Sequence, residues 1–121
     1  MTLDKIPASP LDTSASPMPG RAIIEPSPHG WVGVAMTEWE LRAAEWTDQH
    51  PFDEYNFVLA GELHVESDGQ VAVAAVGDTI RVRAGSTGRY WAPVYARMLS
   101  IYAPNPEGLD SQSMGLRRLD G

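Results

Sequence analysis

HPFDEYNFVLAGELHV, residues 50–65, decides how the rest of the chain is read. A histidine and two carboxylates, His50, Asp53 and Glu54, precede a strand-like apolar run interrupted by one glycine, Gly61. In an extended chain successive side chains alternate between faces, so Glu54 and Asn56 share one face. The segment is either one wall of a pocket or a strand whose polar start has no chemical role. Its surroundings discriminate between the two.

On both sides the chain is written in short extended pieces. RAIIE (21–25), WVGVAMTEW (31–39) and ELRAAEW (40–46) read as strands, and YNFVLAGELHVES (55–67) is followed by QVAVAAV (70–76). Asp68-Gly69 between the last two is a hairpin signal, because a type I′ turn needs positive φ at both central residues. GDTIRVRAG (77–85), RYWAP (89–93) and ARMLSIYAP (96–104) continue the series. The 11 glycines and 10 prolines fit many short elements joined by turns. About eight strands with almost no helix predict an all-β antiparallel sandwich or small barrel, whose mouth and interior can hold a small ligand. Residues 21–108 are read as that barrel. Residues 1–20, rich in proline and serine, are expected to be an extended or disordered arm, with a strand swapped onto a second subunit as the other arrangement. Residues 109–121 form a tail in which LDSQSMGLRRL is compatible with one short helix.

Composition narrows the function classes. A net charge of −7 argues against nucleic acid or an anionic membrane surface as the main partner, since both call for basic patches. The absence of cysteine removes disulfides, thiolate nucleophiles and Cys-ligated metals. No apolar run approaches the roughly 20 residues of a membrane span. MTLDKIPASP lacks the basic start and apolar core of a signal peptide, so a cytoplasmic location is expected.

The spacing Glu54-x6-Gly61, with His50 and Asp48 upstream, resembles the first cupin motif, G-x5-H-x-H-x3/4-E-x6-G. Here Asp48 stands at the first histidine position. Gly77 and Gly85 match the second motif, G-x5-P-x-G-x2-H-x3-N, in which Arg83, Gly88 and Ala92 replace the proline, the histidine and the asparagine. Within the cupins, VAMTEWELRAAEWT (34–47), DEYNFVLAGELHV (53–65), VGDTIRVRAGST (76–87) and ARMLSIYAPNP (96–106) are similar to the ethanolamine-utilisation (EutQ-type) group. The resemblance implies a double-stranded β-helix, or jelly-roll barrel, with an interior pocket, and a homodimer. Members of that group have been linked to acetate kinase activity, but Gly85-Ser86-Thr87 is not a phosphate-binding loop.

A tightly held catalytic metal generally takes three or more protein ligands. This chain can offer His50 and Glu54, with Asp48 as a third, so the cofactor is either none or a weakly bound divalent metal. Without metal, a carboxylate and an imidazole in an apolar barrel suit general acid–base work. Glu54 is expected as the base or acid, His50 as its partner, and Tyr90 as a donor to a developing oxyanion. Tyr90 lies two residues beyond Gly88 and shares its strand face. Asn56, Arg83, Trp91 and Tyr102 are the expected substrate contacts. The expected activity is proton transfer on a small organic molecule: isomerase, cyclase, dehydratase or lyase chemistry. The alternatives are a non-catalytic binding or accessory cupin of a metabolic operon, and a metal-dependent cupin with an Asp-His-Glu site.

Overall fold

A computed structural model describes residues 2–120. Its strands are β1 (Gly20–Ile24), β2 (Ala35–Gln49), β3 (Glu54–Gly61), β4 (Leu63–Ser67), β5 (Gln70–Ala74), β6 (Thr79–Val82), β7 (Thr87–Tyr102) and β8 (Gln112–Arg118). Every pairing between them is antiparallel. β2 and β7 form the spine, paired from Ala35↔Tyr102 to Gln49↔Thr87 with a register shift between Arg42 and Ala44. At that shift Ala43 has φ 46°, and Pro93 and Val94 on β7 have no partner on β2. A bulge is where a sheet tolerates proline, which cannot donate to the ladder.

The bulge bends the spine, so each long strand serves two sheets. The first half of β2 and the second half of β7 lie in the sheet β1-β2-β7-β3-β6. The other halves pair with β8 and β4, and β5 extends beyond β4. The fold is therefore an antiparallel jelly-roll barrel. Trp39, Leu41, Val58, Leu63, Tyr90 and Met98 are the large members of its core. The outer face of β3 and β7 is apolar, with Tyr55, Phe57, Leu99 and Ile101 lining a shallow groove with Thr79.

Two turn features follow from the sequence. Asp68 and Gly69 have φ 52° and 79°, which closes the β4–β5 hairpin as a type I′ turn requires. Gly61 has φ 73°, and a Cβ there would lie 2.1 Å from the Tyr95 carbonyl oxygen. The glycine that ends the Glu-x6-Gly spacing is thus the point where β3 passes against the backbone of β7.

Three expectations are corrected. Residues 31–34 are not strand: Val32 is exposed, and Trp31 forms an isolated bridge with Asn105. RYWAP and ARMLSIYAP belong to one strand, β7, bent rather than broken at Pro93. The tail is not a helix but β8, paired with β2 through Trp46↔Leu116 and Asp48↔Ser113. The second half of β2 offers an edge that β7 leaves free, and the tail's backbone groups pair there. Gly115, at φ 124°, lies outside helical space.

At the other terminus, residues 2–10 are exposed, but the segment before β1 is packed. Asp12 bridges Gly20, and the Pro19 and Pro17 carbonyls accept from the Glu40 and Arg42 amides at 2.9 and 3.0 Å. Among the described residues no helix is long and apolar enough to cross a membrane.

Candidate active site

The end of β2, the turn after it and the start of β3 deliver three polar side chains to one end of the barrel. Asp48 is the penultimate residue of β2, His50 follows the strand, and Glu54 opens β3. His50 Nε2 lies 3.0 Å from Asp48 Oδ2 and 3.0 Å from Glu54 Oε1. One N–H cannot point at both oxygens, so these are charge contacts rather than aligned hydrogen bonds. His50 Nδ1 lies 2.6 Å from Ser111 Oγ, just before β8, and the ring stacks on Phe52 with centroids 4.6 Å apart. The imidazole is therefore fixed on its edge and on one face.

Glu54 is held from behind. Its Oε2 accepts from Asn56 Nδ2 at 2.8 Å. Asn56 Oδ1 accepts from Trp39 Nε1 at 3.0 Å and from the Ser100 hydroxyl. Asp48 Oδ2 accepts from Trp46 Nε1 at 2.8 Å. Asn56 and Trp46 thus orient the two carboxylates directly, and Trp39 and Ser100 orient Asn56. Among the described residues, two buried side-chain atoms have no hydrogen-bond partner: Glu54 Oε1 and the Tyr90 hydroxyl. Buried polar atoms left unpaired are rare in folded proteins and call for an explanation.

Tyr90 sits where the second motif lacks its histidine. A Cβ at Gly88 would lie 2.8 Å from the Tyr90 hydroxyl and 2.9 Å from Cζ, so the phenol ring occupies the space a residue 88 side chain would need. Its ring meets Trp39 edge-on at 5.8 Å. Burial, then the Glu54 and Asp48 charges, push the phenol well above its ordinary pKa, so it remains an O–H donor. Burial alone would lower the His50 pKa, but the Asp48 and Glu54 carboxylates outweigh it and push it up to about 9.

In front of this cluster is a cavity of about 280 Å³ lined by Trp39, Trp46, Asp48, His50, Glu54 and Tyr102, with Met18, Gly20, Thr37 and Ser113 around it. Tyr102 lines the wall. Asn56 and Tyr90 sit behind the wall rather than on it. Arg83 lies just past β6 and is exposed, and Trp91 faces outward, stacked on His64 at 5.3 Å with Arg89 over it at 4.2 Å. Neither reaches the cavity. Sequence reasoning missed Thr37, Trp39, Trp46, Met18, Ser111 and Ser113. The alternation of Trp46 with Asp48 was the available signal for one of them.

Asp48, His50 and Glu54 each offer a ligand atom, all within 4.8 Å of one another. A divalent ion with bonds of about 2.0–2.2 Å holds adjacent ligand atoms roughly 3 Å apart, the spacing His50 Nε2 keeps to each carboxylate. The donor set of one imidazole and two carboxylates suits zinc, manganese or iron. A bound ion would displace the Nε2 proton, and a ring donating from Nδ1 to Ser111 would then turn the Nε2 lone pair to it. The residues present therefore fit such an ion.

A jelly roll with a carboxylate–imidazole cluster at its first-motif positions defines a cupin. The chain belongs to the ethanolamine utilisation protein EutQ family, which it matches over residues 23–107. It is 33% identical over 73 residues to the acetate kinase EutQ of Salmonella typhimurium, covering 60% of this chain and 31% of that protein. The chain thus spans about a third of that relative's length. The solved structure of ethanolamine utilization protein Q from the same organism is similar with a TM-score of 0.59, 27% identity, and coverage of 74% of this chain and 73% of that one. The DMSP lyase DddQ of Ruegeria pomeroyi shares the fold, with a TM-score of 0.66 and 20% identity over 78% of this chain and 50% of that one.

Proposed function

We propose that the chain is a small-molecule enzyme that uses its barrel cavity for acid–base chemistry of the isomerase, cyclase, dehydratase or lyase type. The observation that carries this reading is the buried Glu54 carboxylate. One oxygen is anchored by Asn56, and the other is unpaired beside His50 and Tyr90 at the end of a cavity of about 280 Å³. Glu54 takes a proton from a carbon or hydroxyl of the substrate. The His50 imidazolium stabilises the carboxylate before transfer and can return a proton after it. The Tyr90 hydroxyl, kept neutral behind the wall beside Glu54, is placed to donate to that carboxylate and steady its charge. Trp39, Trp46 and Tyr102 provide apolar walls that exclude water.

A second reading is favoured by the spacing of the three ligand atoms. Asp48, His50 and Glu54 would hold a divalent ion, which when bound supplies Lewis-acid polarisation of a substrate oxygen. In that case Ser111 and Trp46 orient the ligands. The Salmonella relative is an acetate kinase. Transfer of that activity to this chain is disfavoured by the cavity wall, which carries carboxylates and neither lysine nor arginine among its described lining residues.

The test uses the proton itself. Small carbonyl and hydroxy compounds are incubated with the protein in D₂O, and deuterium wash-in is followed by NMR. Exchange that depends on Glu54 and disappears in Glu54→Gln is expected. A panel in which the wild type exchanges no faster than Glu54→Gln overturns the acid–base reading. Elemental analysis of the purified protein and of Glu54→Ala separates the second reading: near-stoichiometric metal, lost in the variant, establishes it.

A further inference from the structure

We infer that the barrel cavity takes a small organic cation, a protonated amine or quaternary ammonium, in preference to a carboxylate or phosphate. This deepens the reading of the cavity as a small-molecule site and rests on it. The charge of the wall is fixed by residue type. Asp48 and Glu54 are its carboxylates, His50 is its one titratable base, and no lysine or arginine lines it among the described residues. The wall thus sets two acidic side chains against one imidazole, an acidic excess that follows from the lining alone.

The deficit is not offset nearby. The indole N–H groups of Trp39 and Trp46 are already donated to Asn56, Ser100 and Asp48. Glu54 Oε1, on a side chain only 4% exposed, has His50 Nε2 3.0 Å away as a charge contact but no aligned hydrogen bond. Burying a carboxylate oxygen without a donor costs free energy that a ligand N–H, or a diffuse positive charge, would recover. The remaining walls, Trp39, Trp46 and Tyr102 with Met18 at the rim, are aromatic and soft. Alkylammonium groups are stabilised by aromatic faces, whereas anions are repelled by them and by the carboxylates.

The test compares three probes of nearly equal shape: isobutylammonium, isobutanol and isobutyrate. Each is titrated into the purified protein and read by the indole N–H shifts of Trp39 and Trp46. Isobutylammonium is expected to bind at least about ten-fold more tightly than isobutyrate, with isobutanol between, since like-charge juxtaposition costs several kcal/mol. Asp48→Asn should narrow that ratio. Because Asp48 is buried, Ser113→Lys serves as an independent variant. It places a cation at the exposed rim and should abolish isobutylammonium binding while admitting isobutyrate. Equal binding of the two ions, or binding of neither charged probe, overturns the inference. Isobutyrate binding that disappears on chelation also overturns it, in favour of a metal centre. Cation selectivity without deuterium exchange on any substrate sustains the inference and removes only the catalytic reading.

Discussion

Replacing Gly61 by alanine tests whether the Glu-x6-Gly spacing is a packing device that seats Glu54. At φ 73° an L-residue costs roughly 1–2 kcal/mol in this chain geometry. The added Cβ would also lie 2.1 Å from the Tyr95 carbonyl oxygen and 3.0 Å from the Ala96 Cα. Both neighbours are backbone of the spine strand and cannot swing away as a side chain tip would. Relief requires β3 to move off β7, which breaks pairings such as Gly61↔Ala96 and Ala60↔Arg97. A loss of at least about 3 kcal/mol is expected, comparable with overpacking a core. For a domain of this size that lowers Tm by roughly 12 °C. Gly69→Ala is the matched control: its φ is 79°, but nothing lies within 4 Å of the new Cβ. It should lose only the conformational part, roughly 1 kcal/mol or about 4 °C. Thermal unfolding of the wild type and the two variants by circular dichroism decides. Equal losses at the two glycines would refute the close-approach reasoning.

Tyr90→Phe removes a buried hydroxyl without a partner, so stability should hold or rise by about 1 kcal/mol while turnover of any identified substrate drops roughly 100-fold; a destabilised variant would show that the hydroxyl is bonded. His50 is raised from 6.5 to about 9, so its contribution of about 3 kcal/mol is fully present below pH 6.5 and is lost as pH rises through 9. Denaturant melts of wild type and Asp48→Asn across that window check it, and a wild-type curve that stays flat contradicts it. Ser111→Ala should release the His50 ring and shift its Nδ1 nitrogen resonance, with Ser111→Thr restoring it; an unchanged spectrum in Ser111→Ala removes Ser111 as a positioning residue. The homodimer expected from the resemblance would cover the apolar outer face of β3 and β7, so Phe57→Glu should sediment as a monomer; identical sedimentation of variant and wild type places the interface elsewhere.

The spacing of Glu54, Gly61, Gly77 and Gly85, with the Asp68-Gly69 hairpin, was enough to read the barrel from the sequence. These positions are set by local backbone demands, and such demands leave local marks. The alternation of Glu54 with Asn56 likewise placed both on the inner side. What was illegible depended on distant partners. Inward residues on β2 are Thr37, Trp39 and Leu41 before the bulge, but Ala44, Trp46 and Asp48 after it. The phase of alternation flips at Ala43, and no residue type announces that. The tail looked helical because its apolar residues have no strand neighbour in sequence. Its partner, β2, lies more than half the chain away. Trp91 was assigned to the pocket beside Tyr90, yet adjacent strand residues face opposite sides, so period-two alternation already argued against having both. Arg83 failed because β6 stops at Val82, and the chain turns outward there.

The cavity wall draws on Met18 near one terminus and Ser113 near the other, and its spine joins Ala35 to Tyr102. Such non-local pairing makes folding slow relative to helical domains of the same size. It also sets an order of events. While the polypeptide is being synthesised, His50 and Glu54 exist long before the strand that buries them and the serine that fixes the imidazole. The reactive groups therefore stay unassembled until β7, Ser111 and β8 have been made and have docked. A ligand for this cavity would act as a reporter of completed folding, and would raise the stability of the whole barrel rather than of any part of it.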